Sequence, residues 1–269
     1  MIGDWLRAMA AKNANIAISL DEMSELLQEI QDSLVEGLTP MREPERFGGF
    51  LLLRDPSDRI PYLNQSIPVG ECTVEDAREL IIRYAELGLK PWFEFFPRIA
   101  PGVGEILESL GISRLYEMPI MVMHRSDWHP SPFSHKARLS EREDLAAGLE
   151  ATAEAFGSPV NGNVESKALS IESGRLLSAV GFEGSQIVAS GSAIGTKRVR
   201  EVAGIGTRPA WRRMGYGTAV VECLLERHFT SGGEIAWLTP GDDGAQSTYA
   251  KIGFQSIGVQ ATYGLPTGN

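Results

Sequence analysis

EVAGIGTRPAWRRMGYGTAVVECLLE, residues 201–226, reads in order as strand, glycine-rich turn and helix. The apolar residues of Glu201–Thr207 suit a short buried strand. Arg208-Pro209 then breaks it, and Ala219 to Leu225 supply the apolar positions of a helix. Within this stretch, Arg212-x-x-Gly215-x-Gly217 falls at the helix start. That placement gathers unpaired backbone N–H groups and the positive end of the helix dipole where a pyrophosphate can sit. Glycine matters there because a Cβ would hold the backbone away from phosphate oxygens.

Working outward from this stretch, the upstream segments predict two further strands, Arg175 to Phe182 and Gln186 to Ile194, joined by a turn at Glu183-Gly184-Ser185. Before them, Ser140-Glu141-Arg142-Glu143 reads as a capping box opening a helix to about Phe156, and a second helix is expected near Asn163 to Ile171. Downstream come a strand, Glu234 to Thr239, and Ala245-Gln-Ser-Thr-Tyr249-Ala-Lys-Ile-Gly253-Phe254, a short helix with a glycine stop leading into a last strand.

The order and spacing of these segments, over roughly residues 135–264, resemble the GNAT N-acetyltransferase superfamily. Its signature is Gln/Arg-x-x-Gly-x-Gly/Ala followed by an Ala-x-x-Leu-Tyr-x-Lys-x-Gly-Phe helix. The resemblance implies acetyl-CoA as co-substrate, no metal, and transfer of the acetyl group to a primary amine. By position, Ile205, Gly206 and Thr207 would pair their backbone with the pantetheine arm. Arg212, Arg213, Met214, Gly215, Tyr216, Gly217 and Thr218 would cradle the pyrophosphate. Tyr249 would protonate the departing thiolate, unless it is simply a half-buried helix aromatic. Glu201 is the nearest match to the carboxylate that deprotonates the amine in many relatives; the alternative is an ordinary surface glutamate. Asp242 stands where relatives often place an Asn against CoA, just ahead of Ala245, and is read as the cap of the following helix. Thr248 departs from the usual Leu.

The first half has its own sequence of elements. Ser19-Leu20-Asp21-Glu22 caps a helix whose apolar residues Met23, Leu26, Leu27, Ile30 and Leu34 share one face. Phe47 to Leu53 reads as a strand closed by a turn at Arg54–Asp58, and Thr73 caps a helix ending at Gly88. Lys90 to Phe96 is expected to be a strand, Gly104 to Leu110 a helix and Met118 to Met123 a strand. Shifting the chain by 142 residues aligns Ile81-Ile82 with Cys223-Leu224, Phe93–Phe96 with Ile235–Leu238, and Gly111-Ile112 with Gly253-Phe254. At this offset Leu107 falls on Tyr249 and Gly70–Glu75 on the Arg212–Gly217 loop, so the phosphate glycines and the tyrosine are missing.

The expected fold is therefore α/β with mixed sheets, as two tandem GNAT-like units. Each would be a mostly antiparallel twisted sheet flanked by helices. A degenerate copy is expected at residues 1–126, a linker at 127–134, where two prolines interrupt the periodicity, and the catalytic unit at 135–269. The degenerate copy would shape the acceptor pocket, with Trp92, Phe93, Phe95 and Phe96 either lining that wall or filling a core.

Composition narrows the partners. A formal charge of −10 disfavours nucleic acid, which needs clustered Lys and Arg; an acidic surface either draws in a cationic acceptor, a small-molecule or peptide amine, or, more commonly, only confers solubility. The N-terminus lacks a signal-peptide pattern and no apolar run reaches membrane-spanning length, so a cytoplasmic location without membrane attachment is expected. Cys72 and Cys223 are expected to be buried thiols, and His124, His129, His135 and His228 have no metal-ligand spacing. Two other functions fit the same signals: a non-catalytic acyl-CoA-binding sensor or interaction module, and a tandem acyltransferase similar to mycothiol synthase. The sequence carries no marker of oligomeric state.

Overall fold

In the computed structural model, residues 19–130, 135–160 and 162–265 are described. Eleven strands form one mixed sheet in the order β1-β2-β3-β4-β11-β5-β10-β9-β8-β7-β6. In the first half these are β1 (Glu43–Phe47), β2 (Phe50–Arg54), β3 (Gln65–Pro68), β4 (Trp92–Phe95) and β5 (Ser113–His124). The second half supplies β6 (Ala137–Leu139), β7 (Leu176–Glu183), β8 (Gln186–Gly195), β9 (Val199–Thr207), β10 (Ile235–Leu238) and β11 (Gln255–Gly264). The helices are α1 (Leu20–Leu38), α2 (Val74–Glu86), α3 (Val103–Ser109), α4 (Leu145–Phe156), α5 (Val164–Glu172), α6 (Tyr216–Thr230) and α7 (Asp243–Ile252).

The mixed α/β architecture matches expectation, and the two halves share a single sheet. The run β3-α2-β4-α3-β5 is repeated as β9-α6-β10-α7-β11, with α2 and α6, and likewise β5 and β11, starting 142 residues apart. β3–β4 and β9–β10 are the parallel pairs; every other pairing is antiparallel. The last strand of each half crosses to the other: β11 lies between β4 and β5, and β5 lies between β11 and β10. The linker expected at 127–134 begins in a short 3-10 turn, Arg125–Asp127, and its residues 131–134 lie outside the described residues.

Alternation along the strands sorts the core onto two faces. On one face α6 packs Val220, Leu224 and Phe229 against Val188, Val202 and Leu238. On that face of the first half, Leu80 and Tyr84 of α2 and Leu107 of α3 meet Phe50, Phe93 and Phe95. The opposite face belongs to α1, whose Leu27, Ile30, Leu34 and Leu38 cover Leu53, Ile67, Phe96, Val199 and Trp237 from both halves. The helix begins with the expected Ser19–Glu22 box, and Gly37 lets it touch the sheet: a Cβ there would lie 2.6 Å from Gly195 Cα.

Several local readings change. Phe47 to Leu53 is a hairpin rather than one strand, because Gly48 at φ +51° turns the chain between β1 and β2. The box before α4 is Glu141 with Asp144 around a 3-10 turn, one residue later than expected, and Asp144 is held by Arg138. Cys72 and Cys223 are half-buried, with both thiols pushed up to about 11 chiefly by burial. No helix among the described residues is long and apolar enough to cross a membrane.

Candidate active site

β9 and β10 pair from Val199↔Ile235 only to Glu201↔Trp237, after which β10 ends and β9 runs on to Thr207. The parallel pair therefore opens into a wedge, leaving one edge of β9 without a strand partner beyond Glu201. β9 also bulges against β8 between Ser190 and Ser192, with Gly204 at φ +63°. Gly206 brings α4 close to the strand: a Cβ there would lie 3.0 Å from both Thr152 Cα and Ala155 Cβ.

The glycine loop lies at the wide end of the wedge. Gly215, at φ +85°, opens α6, and no side chain caps that end. Ala219 N donates to Gly215 O at 2.9 Å, so the N–H groups of Tyr216, Gly217 and Thr218 precede the first intrahelical bond. Arg213 is the one non-glycine residue with positive φ among the described residues, at 63°. Its exposed side chain makes no hydrogen bond or ion pair among the described residues. Arg212 is engaged, donating to Ala155 O at 2.5 Å and Thr207 O at 3.3 Å, which ties the loop to α4 and β9.

Around this loop is a cleft of about 240 Å³ that brings together Ile205, Thr207, Arg212, Arg213, Gly215, Tyr216, Gly217, Thr218, Ala245 and Tyr249. Three of the expected donor-binding residues lie elsewhere. Gly206 faces α4, Met214 is exposed with its carbonyl accepting from Lys136 Nζ at 2.8 Å, and Asp242 lines the neighbouring cavity. The Tyr216 side chain is buried beneath the loop and hydrogen-bonded to Glu183, so only its backbone is offered to the cleft. Asp242 caps α7 by accepting from Ala245 N at 2.7 Å.

Tyr249 stands where the cleft meets a central cavity of about 560 Å³. Burial, then the negative charge of Asp242, pushes its hydroxyl up to about 12, so it remains protonated. The cavity lies on the α1 face, over the strands that the halves share, with Leu34, Leu53, Gln65, Met118 and Gln260 in its wall. Glu201 faces into it, not outward, and has no hydrogen-bond partner among the described residues. Burial, then the field of Glu94, pushes its carboxyl up to about 8.

Glu94, on β4, is the residue that sequence reasoning missed. It also lines the cavity, accepts from Trp92 Nε1 at 2.7 Å, and is pushed up to about 7 by burial. Its signal was present as an acid between Phe93 and Phe95, which must point to the opposite face from both. The flanking aromatics do not line the cavity. Phe93 and Phe95 pack beneath α2 and α3, and Phe96 makes an edge contact with Trp237 at 5.9 Å. Past Phe156 and Tyr62 the cavity adjoins an apolar cleft of about 650 Å³ under α4.

A wedge between parallel strands, a glycine loop at its mouth and a tyrosine at its depth now stand together. Residues 150–254 match the family model described as acetyltransferase (GNAT) family. The fold is a GNAT acetyltransferase fold. Three solved structures share it over most of the chain. A GCN5-related N-acetyltransferase from Kribbella flavida aligns at 20% identity and TM-score 0.74, over 90% of this chain and 96% of that one. One from Sphaerobacter thermophilus aligns at 14% and 0.58, over 94% and 96%. A GCN5-related N-acetyltransferase-like protein from Streptococcus suis aligns at 14% and 0.57, over 91% and 100%. No curated protein sequence matches the chain.

The GNAT-type loop has a counterpart in the first half that is closed by the chain itself. Thr73 caps α2 by accepting from Asp76 N, and the Asp76 carboxylate accepts from Thr73 N at 3.0 Å and Gly49 N at 3.3 Å. The Asp76 carboxylate thus ties the start of α2 to the β1–β2 turn. The β1–β2 turn closes over it: a Cβ on Gly49 would lie 2.2 Å from Glu71 O. Leu107, in the place of Tyr249, is fully buried.

Proposed function

We propose that this chain is an N-acetyltransferase that moves an acetyl group from acetyl-CoA to a primary amine. The first half acts as a degenerate GNAT-like copy that no longer binds the donor. The observation that supports this reading most strongly is the uncapped α6 N-terminus at the mouth of the β9–β10 wedge, joined through Tyr249 to a cavity containing Glu201. Free N–H groups and Arg213 suit a pyrophosphate, and the unpaired edge of β9 suits an amide-bearing arm that adds to it as a strand.

Bound acetyl-CoA supplies an activated acyl group as its thioester. Glu201 takes a proton from the entering ammonium, freeing the lone pair that forms the new C–N bond; a carboxyl raised to about 8 suits that exchange near neutral pH. Tyr249, kept protonated, gives its hydroxyl proton to the sulfur as the C–S bond breaks, and is restored by the second proton that the nitrogen loses on becoming an amide. The wedge and cavity hold the two reactants in one place, which accounts for much of the rate gain in a transfer of this kind. The products are an acetamide and the free CoA thiol.

Calorimetric titration of acetyl-CoA tests the donor site without knowledge of the acceptor. We expect one equivalent per chain, abolished by Gly217→Trp, since a Cβ at Gly217 already lies 3.2 Å from Thr207 Oγ1 and an indole would fill the cleft. Tyr249→Phe should retain binding and lower kcat by roughly 10²-fold. Two equal sites would overturn the degenerate-copy assignment. Turnover unchanged in Tyr249→Phe would remove the tyrosine from the reaction, and binding without turnover on any amine would favour an acyl-CoA sensor.

A further inference from the structure

The acceptor chamber is built by both halves; besides Asp242, which is engaged in capping α7, each half contributes one carboxylate to it. Glu201 comes from β9 and Glu94 from β4, on strands separated by β11, β5 and β10. Four inter-strand steps put the two backbones roughly 19 Å apart, and both side chains line the same chamber over the sheet. Neither carboxylate is paired with a cation among the described residues. Glu201 has no hydrogen-bond partner there, and Glu94 has the Trp92 indole N–H. Arg42, the cation in the chamber wall, is already paired with Asp55 at 3.1 Å. Gln65, Gln260 and Thr239 add neutral polar groups, while Leu34, Leu38, Leu53 and Met118 supply apolar wall.

Half-buried carboxylates that face a cavity without a counter-ion are disfavoured in their charged form, and a cation entering between them relieves that cost. The two acids also differ in position. Glu201 lies on the strand that leads to the donor cleft, whereas Glu94 lies four strands away from it. One carboxylate suffices to deprotonate the reacting nitrogen; the second is not needed for that step.

We propose that the acceptor is a compact dicationic amine, such as an aliphatic diamine, whose reacting nitrogen meets Glu201 beside Tyr249 and whose far ammonium is held by Glu94. This rests on the acyltransfer reading above and assigns its substrate class. The apolar wall between the acids suits the methylene chain joining the two nitrogens. Monoamines fill one half of the arrangement and leave Glu94 unpaired. ω-Amino acids place a carboxylate against Glu94 and are rejected.

Calorimetry on protein saturated with CoA tests this apart from turnover, using 1,4-diaminobutane, 1,5-diaminopentane, n-pentylamine and 5-aminopentanoate as probes. A diamine should bind at least tenfold more tightly than n-pentylamine, and 5-aminopentanoate should show no binding. Glu94→Gln, which keeps the shape of the side chain, should raise the diamine Kd and KM about tenfold with kcat little changed, and narrow its margin over n-pentylamine. Thermal melting and acetyl-CoA affinity of the variant serve as controls for folding. Equal binding of diamine and monoamine, or a margin untouched by Glu94→Gln, overturns the proposal even if amines are acetylated. Tight, Glu94-dependent diamine binding without acetyl transfer supports the dication site and overturns the acyltransfer reading instead.

Discussion

Glu201 has a stability cost whose sign follows from its position. In the unfolded chain it ionises near 4.5; in the folded chain burial and Glu94 push it up to about 8. Between those values the folded state holds more protons than the unfolded one, so stability falls as pH rises through that window. Glu201→Gln removes this dependence. It should raise the melting temperature at about pH 8.5, by up to a few kcal/mol in stability, and have little effect near pH 4.5. Melting curves that shift equally at both pH values would show that Glu201 ionises freely in the folded protein. The same variant should abolish the rise of kcat/KM with pH through about 8, because a base acts only in its ionised form. Glu94 shows why residue types alone were insufficient here. The placement of the loop glycines and of Tyr249 was legible because each depends on a single turn or helix. Glu94 comes to share a cavity with Glu201 only because strands of the two halves join in one sheet.

At the scale of elements, the two helices that follow parallel strands differ in how their first turns are satisfied. In α2 the Thr73 hydroxyl and the Asp76 carboxylate meet the free backbone donors, whereas the first turn of α6 has no such side chain. The first arrangement stabilises a helix; the second leaves donors for a ligand. Thr73→Ala should therefore cost about 1 kcal/mol in chemical denaturation and leave acetyl-CoA stoichiometry and affinity unchanged. A change in donor stoichiometry would mean that the α2 end takes part in binding after all. Caps were the most legible elements in the sequence, since Ser19, Thr73 and Asp242 all cap where expected. Short strands were the least. β3 and β6, with four and three residues, are too short to show a period, and Gly48-Gly49 inside an apolar run conceals the hairpin between β1 and β2.

The repeat at 142 residues was legible as matched apolar segments, but the exchange of last strands was not, because either partner satisfies the same apolar pattern. Exchange makes each half depend on the other. β11 pairs with β4 on one side and β5 on the other, and β10 depends on β5 for its second neighbour. α1 covers Val199, Ile235 and Trp237 of the second half together with Leu53, Ile67 and Phe96 of the first. Residues 135–269 produced alone would expose both edges of β11, the outer edge of β10 and the apolar face under α1, a combination that favours aggregation. We expect that fragment to be insoluble or to lack a cooperative melt. Co-expression with residues 1–134 should give a one-to-one complex that binds acetyl-CoA, because the cut falls after β5 ends at His124 and before β6 begins at Ala137. A soluble 135–269 fragment with a cooperative transition would show that the second half completes its own sheet. It would then lack Glu94, and comparing its selectivity for diamines over monoamines with that of the whole chain would measure what the first half contributes to the chamber.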